Sequence, residues 1–208
     1  MRLIPSLLLM LFLTALGGCY KKQSSVGDMK FSPVNSQFKN TDVTGLPYAK
    51  DFALTDHNGT ARTLADFKGK AVLIFFGYTQ CPDVCPTTMA EMATVMKELG
   101  PQADKVQVLF VTLDPERDTQ ELLSKYVPAF DARFLCLYGD PSATAAVATE
   151  FKIFYHTVDG KSPGTYTIDH TAGSSAFDPQ GRVRLFVRHG AVASPLSHAL
   201  TLRLPPSH

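Results

Sequence analysis

The chain has almost no net charge, no tryptophan, no internal repeat and no low-complexity tract. Twenty Lys and Arg stand against nineteen Asp and Glu, which leaves a formal charge of +1 over 208 residues. A nucleic-acid partner is thereby disfavoured, because such proteins concentrate basic residues on one face. Arg182, Arg184 and Arg188 alternate with apolar residues and read as the solvated face of a strand. The longest apolar stretch, residues 3–16, falls short of the ~20 residues that a spanning helix needs.

That stretch follows Arg2 and ends in small residues before Cys19, the layout of a targeting segment and not of a fold. Leu16-Gly17-Gly18-Cys19 resembles the lipobox of bacterial lipoproteins, which implies cleavage after residue 18 and acylation of Cys19. The expectation is an exported protein, lipid-anchored on the periplasmic side of a bacterial membrane. Residues 19–45 are polar and lack a periodic apolar face, so they read as a tether. Its root-mean-square span is on the order of 30 Å. A single domain is expected over residues 46–204.

Within that domain, residues 71–77 (AVLIFFG) form a run too uniformly apolar for a surface strand; both faces should be covered. Residues 107–113 and 133–138 are similar. The stretches 52–55 and 60–64 flank Asn58-Gly59, a strong hairpin signal. Helices are expected at 86–99, where Met89, Met92, Met96 and Leu99 recur at spacings of three and four, and at 119–126, 141–151 and 194–203. Strands are expected at 152–158, 166–168, 174–177 and 183–188, with a turn at Asp178-Pro179-Gln180-Gly181 between the last two. This alternation suggests an α/β fold of thioredoxin-like type, a mixed central sheet flanked by helices.

Cys81 and Cys85 follow the strand at 71–77. Pro86 suits the first helical position and disfavours helical backbone before it, which puts Cys85 at the N-cap. There the helix dipole would favour a thiolate. Three residues between the cysteines are compatible with a disulfide, whose Cα atoms lie ~4.4 to 6.8 Å apart, and also with an ion between the sulfurs. An exported pair would meet oxidising conditions. Soft thiolates suit copper better than magnesium or calcium, while zinc would want a fourth protein ligand. Spacing alone leaves metal binding and dithiol redox chemistry both open.

Three blocks narrow this. Residues 76–86 (FGYTQCPDVCP), 111–119 (VTLDPERDT) and 168–171 (IDHT) resemble, in order and spacing, the signature blocks of the Sco/SenC family. The resemblance covers most of residues 46–204. It implies a thioredoxin-like copper-binding protein, carrying Cu(I), Cu(II) or both, that helps to assemble the copper A site of cytochrome c oxidase. By the same resemblance the ligands are Cys81, Cys85 and His170, with Cys81 and Cys85 also able to form a redox disulfide. The implied partners are the copper-binding subunit of the oxidase, a copper donor and a thiol reductant.

Two other activities remain open. A thiol:disulfide oxidoreductase would attack with Cys81 and resolve with Cys85, but the chain lacks the tryptophan that usually precedes the first cysteine of a thioredoxin, and it has no proline in place of His170. A peroxide-reducing thiol would want a proline ahead of Thr79, which is absent. Met89, Met92 and Met96 have the spacing of core residues, and Cys136 reads as a buried inert thiol. His57, His156, His189, His198 and His208 are assigned no role. Asp114, Glu116, Arg117 and Asp118 lie between a strand and a helix, where capping and local ion pairing account for them.

Overall fold

The computed structural model describes residues 40–189. The leader, Cys19, most of the tether and the helix expected over 194–203 lie outside the described residues. In chain order the elements are β1 (Thr41–Asp42), β2 (Leu54–Asp56), β3 (Ala61–Arg62), β4 (Ala71–Gly77), α1 (Val84–Leu99), β5 (Val106–Thr112), α2 (Gln120–Tyr126), β6 (Leu135–Tyr138), α3 (Pro141–Glu150), β7 (Tyr155–Asp159), β8 (Tyr166–His170), β9 (Gly173–Phe177) and β10 (Val183–Arg188). Eight strands form one mixed sheet in the order β1-β10-β9-β4-β5-β6-β2-β3, and β7 and β8 form a separate hairpin. β1 lies inside the stretch read as tether, pairing Thr41 and Asp42 with Phe186 and Leu185.

The uniformly apolar run at β4 is the sheet's centre, parallel to β5 and antiparallel to β9, with all seven residues buried. Strand alternation divides it between two cores. Leu73 and Phe75 meet Met89, Met92 and Met96 of α1 and Leu123 of α2, whereas Val72, Ile74 and Phe76 meet Val147 and Ala148 of α3 and Phe151. Each large side chain so enclosed contributes about 1.5 to 3 kcal/mol of transfer free energy. The three methionines are therefore core residues, as their spacing indicates.

Element ends follow local chemistry. Asp140 accepts the Ala143 amide at 2.7 Å to cap α3, and Thr119 accepts the Leu122 amide at 3.3 Å to cap α2. Gly100, at φ +54°, ends α1 immediately before Pro101. One expected boundary is wrong. α1 starts at Val84, with Asp83 as N-cap, so Cys85 lies inside the first turn and not at the cap. Proline is tolerated there because none of the first four amides has a partner within the helix.

The turn at Asp178-Pro179-Gln180-Gly181 stands where expected, but the arginines after it do more than face water. Arg182 and Arg184 are not idle on a wet face: their Nε atoms donate to buried Asp178 at 2.9 and 2.7 Å, and the Gln180 and Arg182 amides donate to its other oxygen at 3.0 Å. Burial alone would raise this carboxyl, but those donors outweigh it and hold Asp178 below the usual carboxylate range. Stability from such a group is present above its unfolded value of about 3.9 and is lost as pH falls through the lower folded value. Asp178→Asn is thus expected to lose about 2 kcal/mol at pH 7 and less at pH 2, measured by urea unfolding. Equal losses at both pH values would mean that the charge plays no part.

Candidate metal centre

The dithiol loop runs from the end of β4 into α1. The Cys85 side chain turns inward, fully buried against the core beneath α1, while Cys81 stays partly exposed in the loop. The two are free thiols. The Cys85 amide, which no carbonyl within the helix serves, donates to Cys81 Sγ at 3.4 Å. Helix-end stabilisation is therefore offered to Cys81 and not to Cys85. Burial pushes the Cys85 thiol up, opposite to the lowering expected from an N-cap position, and the neighbouring Cys81 adds to the rise.

His170 arrives from the far end of β8. Its Nε2 lies 3.9 Å from Cys85 Sγ, and its Nδ1 lies 3.1 Å from the Thr171 carbonyl oxygen. A carbonyl only accepts, so Nδ1 carries the proton and Nε2 presents its lone pair toward sulfur. Of the two orienting groups considered, the backbone carbonyl serves; Asp169 points outward, 4.0 Å from exposed His156. Burial lowers the pKa of His170 and keeps the ring neutral near pH 7. Phe75 and Tyr78 wall the imidazole edge-on, with centroids at 6.3 and 6.4 Å.

Cys81 and His170 border an open cleft of about 490 Å³, shared with Pro82, Asp83 and Asp169, whereas the fully buried Cys85 does not line it. With metal–sulfur and metal–nitrogen bonds of ~2.3 and ~2.0 Å, a 3.9 Å separation would let Cys85 and His170 both bond one ion. Among the described residues, no three His, Cys, Asp or Glu side chains already form a closed shell around one point. Two contacts link the donors: Cys85 Sγ to His170 Nε2 at 3.9 Å, and the Cys85 amide to Cys81 Sγ at 3.4 Å.

Local capping by Thr119 and the local Arg117–Asp114 ion pair are present in the 111–119 block, but Asp118 is not a local residue. Buried Asp118 reaches back across 39 residues to accept from the Thr79 amide at 3.1 Å and the Thr79 hydroxyl at 2.5 Å, and it also accepts from Thr112 Oγ1 at 2.6 Å. Asp114 accepts from Tyr166 Oη at 2.8 Å and from Arg117 Nε. Sequence reasoning missed this because the partners are remote; the one available signal was the density of charge directly after a strand that had to be buried. His57, also passed over, is buried, and its Nδ1 accepts the Cys136 amide at 3.0 Å. Cys136 itself is fully enclosed, and burial pushes its thiol well up, as an inert core cysteine requires. His189 Nδ1 meets Thr88 Oγ1 at 3.0 Å, while His198 and His208 lie outside the described residues.

A central sheet with a dithiol at the mouth of its first long helix is a thioredoxin-like domain, here with an imidazole facing the buried thiol. The SCO1/SenC family model matches residues 41–202, and the chain belongs to that family. It is 38% identical over 133 residues to the mitochondrial protein SCO2 homolog of Bos taurus, a match that takes in 63% of this chain and 50% of the relative. The chain thus spans about half the length of that curated relative. The solved structure of Bradyrhizobium japonicum ScoI with copper bound is similar at 41% identity and a TM-score of 0.69, covering 74% of this chain and 98% of that one. BsSco, described as a member of the Sco family of cytochrome c oxidase assembly proteins with a disulfide switch, is 21% identical with a TM-score of 0.60; the match covers 82% of this chain and 97% of that one and supports the fold alone.

Proposed function

We propose that this protein is a copper carrier: Cys81, Cys85 and His170 hold one copper ion and pass it to the copper A site of the oxidase's copper-binding subunit. The observation that carries the reading is the His170 ring, with Nδ1 tied to a backbone carbonyl and Nε2 turned to Cys85 Sγ at 3.9 Å. Two sulfurs and a neutral nitrogen form a soft donor set suited to copper. Family membership, and the copper-bound relative at 41% identity, support the same ion.

Delivery is ligand exchange, driven by relative affinity. Cys81, on the open side of the cleft, is the sulfur that an incoming thiolate reaches first, whereas buried Cys85 and His170 keep their grip longest. Burial keeps Cys85 protonated in the free protein, so a copper ion must displace that proton. Lipidation at Cys19 and the tether would hold the domain beside a membrane-embedded acceptor on the periplasmic face. A copper donor loads the site, and a thiol reductant keeps Cys81 and Cys85 from closing as a disulfide.

Anaerobic copper titration of the reduced protein tests this directly. Wild type is expected to bind one equivalent. Cys81→Ser, Cys85→Ser and His170→Ala should each weaken binding by more than about tenfold, since even groups that merely orient ligands are worth that much. One equivalent bound with equal strength by all four proteins would end the proposal.

One observation favours dithiol chemistry as a second role. A partly exposed sulfur beside a buried one suits attack by Cys81 on a partner's disulfide, giving a mixed disulfide that Cys85 resolves. The partner leaves with both its thiols, and Cys81–Cys85 is oxidised. Turnover of a disulfide substrate that Cys81→Ser abolishes is the expected result; undiminished turnover in that variant would exclude it.

A further inference from the structure

The hairpin that carries His170 lies outside the main sheet. β8 pairs only with β7, so no strand ladder joins it to β4, and isolated two-stranded hairpins are marginal on their own. Tyr166, Ile168 and His170 alternate onto one face of β8. Ile168 is buried in the core, His170 faces Cys85 and its cross-strand partner Tyr155 packs against both cores, while Tyr166 holds the other end of β8.

Arg117 and Asp114 grip that point. The Arg117 guanidinium stacks 3.5 Å from the centre of the Tyr166 ring, and its Nη1 donates to the Tyr166 carbonyl at 2.9 Å. The same Nη1 donates at 3.3 Å to Gln80 Oε1, next to Cys81. Asp114, almost fully buried, holds the guanidinium through Nε and accepts the Tyr166 hydroxyl at 2.8 Å. Arg117 therefore touches the sulfur-bearing loop and the nitrogen-bearing hairpin together. A planar fork that stacks and donates in two directions at once is beyond lysine.

We propose that Arg117 is the positioning residue of the centre: by clamping Tyr166 against Gln80 it sets the separation between the dithiol and the His170 imidazole. The inference rests on the copper-carrier reading for its metal arm. Its structural arm stands without copper. A strand pinned at Tyr166 delivers its fourth following residue, His170, at a defined position; released there, the strand pivots about Ile168 and the imidazole leaves the sulfurs first. Arg117 makes none of the metal bonds itself, so its loss spares the sulfurs and costs the nitrogen.

The test compares wild type with Arg117→Lys, Arg117→Ala and Tyr166→Phe. In the metal-free proteins, amide hydrogen exchange is measured along β4, α1, β7 and β8. Exchange in β7 and β8 is expected to quicken at least about tenfold in both Arg117 variants, while β4 and α1 stay as in wild type. Tyr166→Phe keeps the stack and should change less. With one equivalent of Cu(II), both Arg117 variants should retain sulfur-to-copper charge transfer but lose the nitrogen hyperfine signature in EPR, and copper should dissociate about 10 to 100 times faster. Lysine should not rescue. Wild-type exchange in the hairpin would overturn the proposal, and so would quickening spread equally over β4 and α1. A wild-type protein that binds no copper through sulfur would defeat the carrier reading, and hairpin exchange alone would then decide the clamp.

Discussion

Asp118→Ala is expected to lower the midpoint of thermal unfolding by about 10 °C. The carboxylate is buried, and three donors end on it: the Thr79 amide, the Thr79 hydroxyl and the Thr112 hydroxyl. Alanine leaves all three without their acceptor, and an orphaned buried donor costs about 1 to 3 kcal/mol. A total near ~3 to 4 kcal/mol is reasonable, because the hydroxyls can turn to other acceptors more easily than the amide. At about 2 to 4 °C per kcal/mol for a chain of this size, the shift follows. Asp118→Asn keeps an acceptor oxygen and should recover roughly half of the loss. Calorimetry decides: an alanine variant melting within about 2 °C of wild type would mean that the network is not what fastens the dithiol loop.

Gly77→Ala should damage the site and the fold together. This glycine is needed for space, not for a left-handed backbone. A Cβ there would stand 2.7 Å from Cys85 Sγ, 3.0 Å from Phe75 Cε1 and 3.1 Å from Phe110 Cε2. The sulfur is fully buried and has no direction of easy retreat. Overpacking of this kind costs about 1 to 3 kcal/mol, and a displaced Sγ should weaken copper binding by tenfold or more. Because the closest clash is with sulfur, the penalty should shrink in a Cys85→Ala background. Strictly additive losses in that double-mutant cycle would show that the aromatic rings, and not the sulfur, carry the strain.

Much of the framework was legible because it depends on period and composition. A run with no polar residue, such as β4, has one economical place in an α/β domain, between two covered faces. Likewise Met89, Met92 and Met96 could only fall on one side of a helix, and they pack beneath the sheet. The start of α1 was misjudged from Pro86, since the local rule for proline permits several positions in a first turn and only packing chooses among them. That two-residue difference matters chemically: it turns Cys85 into the core and hands the free helix amide to Cys81. Asp118 was read as local for a related reason, and Arg117, which does pair locally with Asp114, was not expected to reach further. Nothing in a run of charges indicates that Thr79 or Tyr166 will be folded against it.

From its residues alone this chain determines where its buried strands and helices lie, which sulfurs share a loop, and which histidine the family resemblance pairs with them; these follow from periodicity, turn chemistry and motif, all short in range. The protonation of Cys85, the ring tautomer of His170, the 3.9 Å between them and the Arg117 clamp were decided only by the tertiary structure. Burial, hydrogen-bond partnership and the distance between side chains 85 residues apart are properties of the packed chain, so they come into being only when the sheet, the loop and the hairpin close on one another.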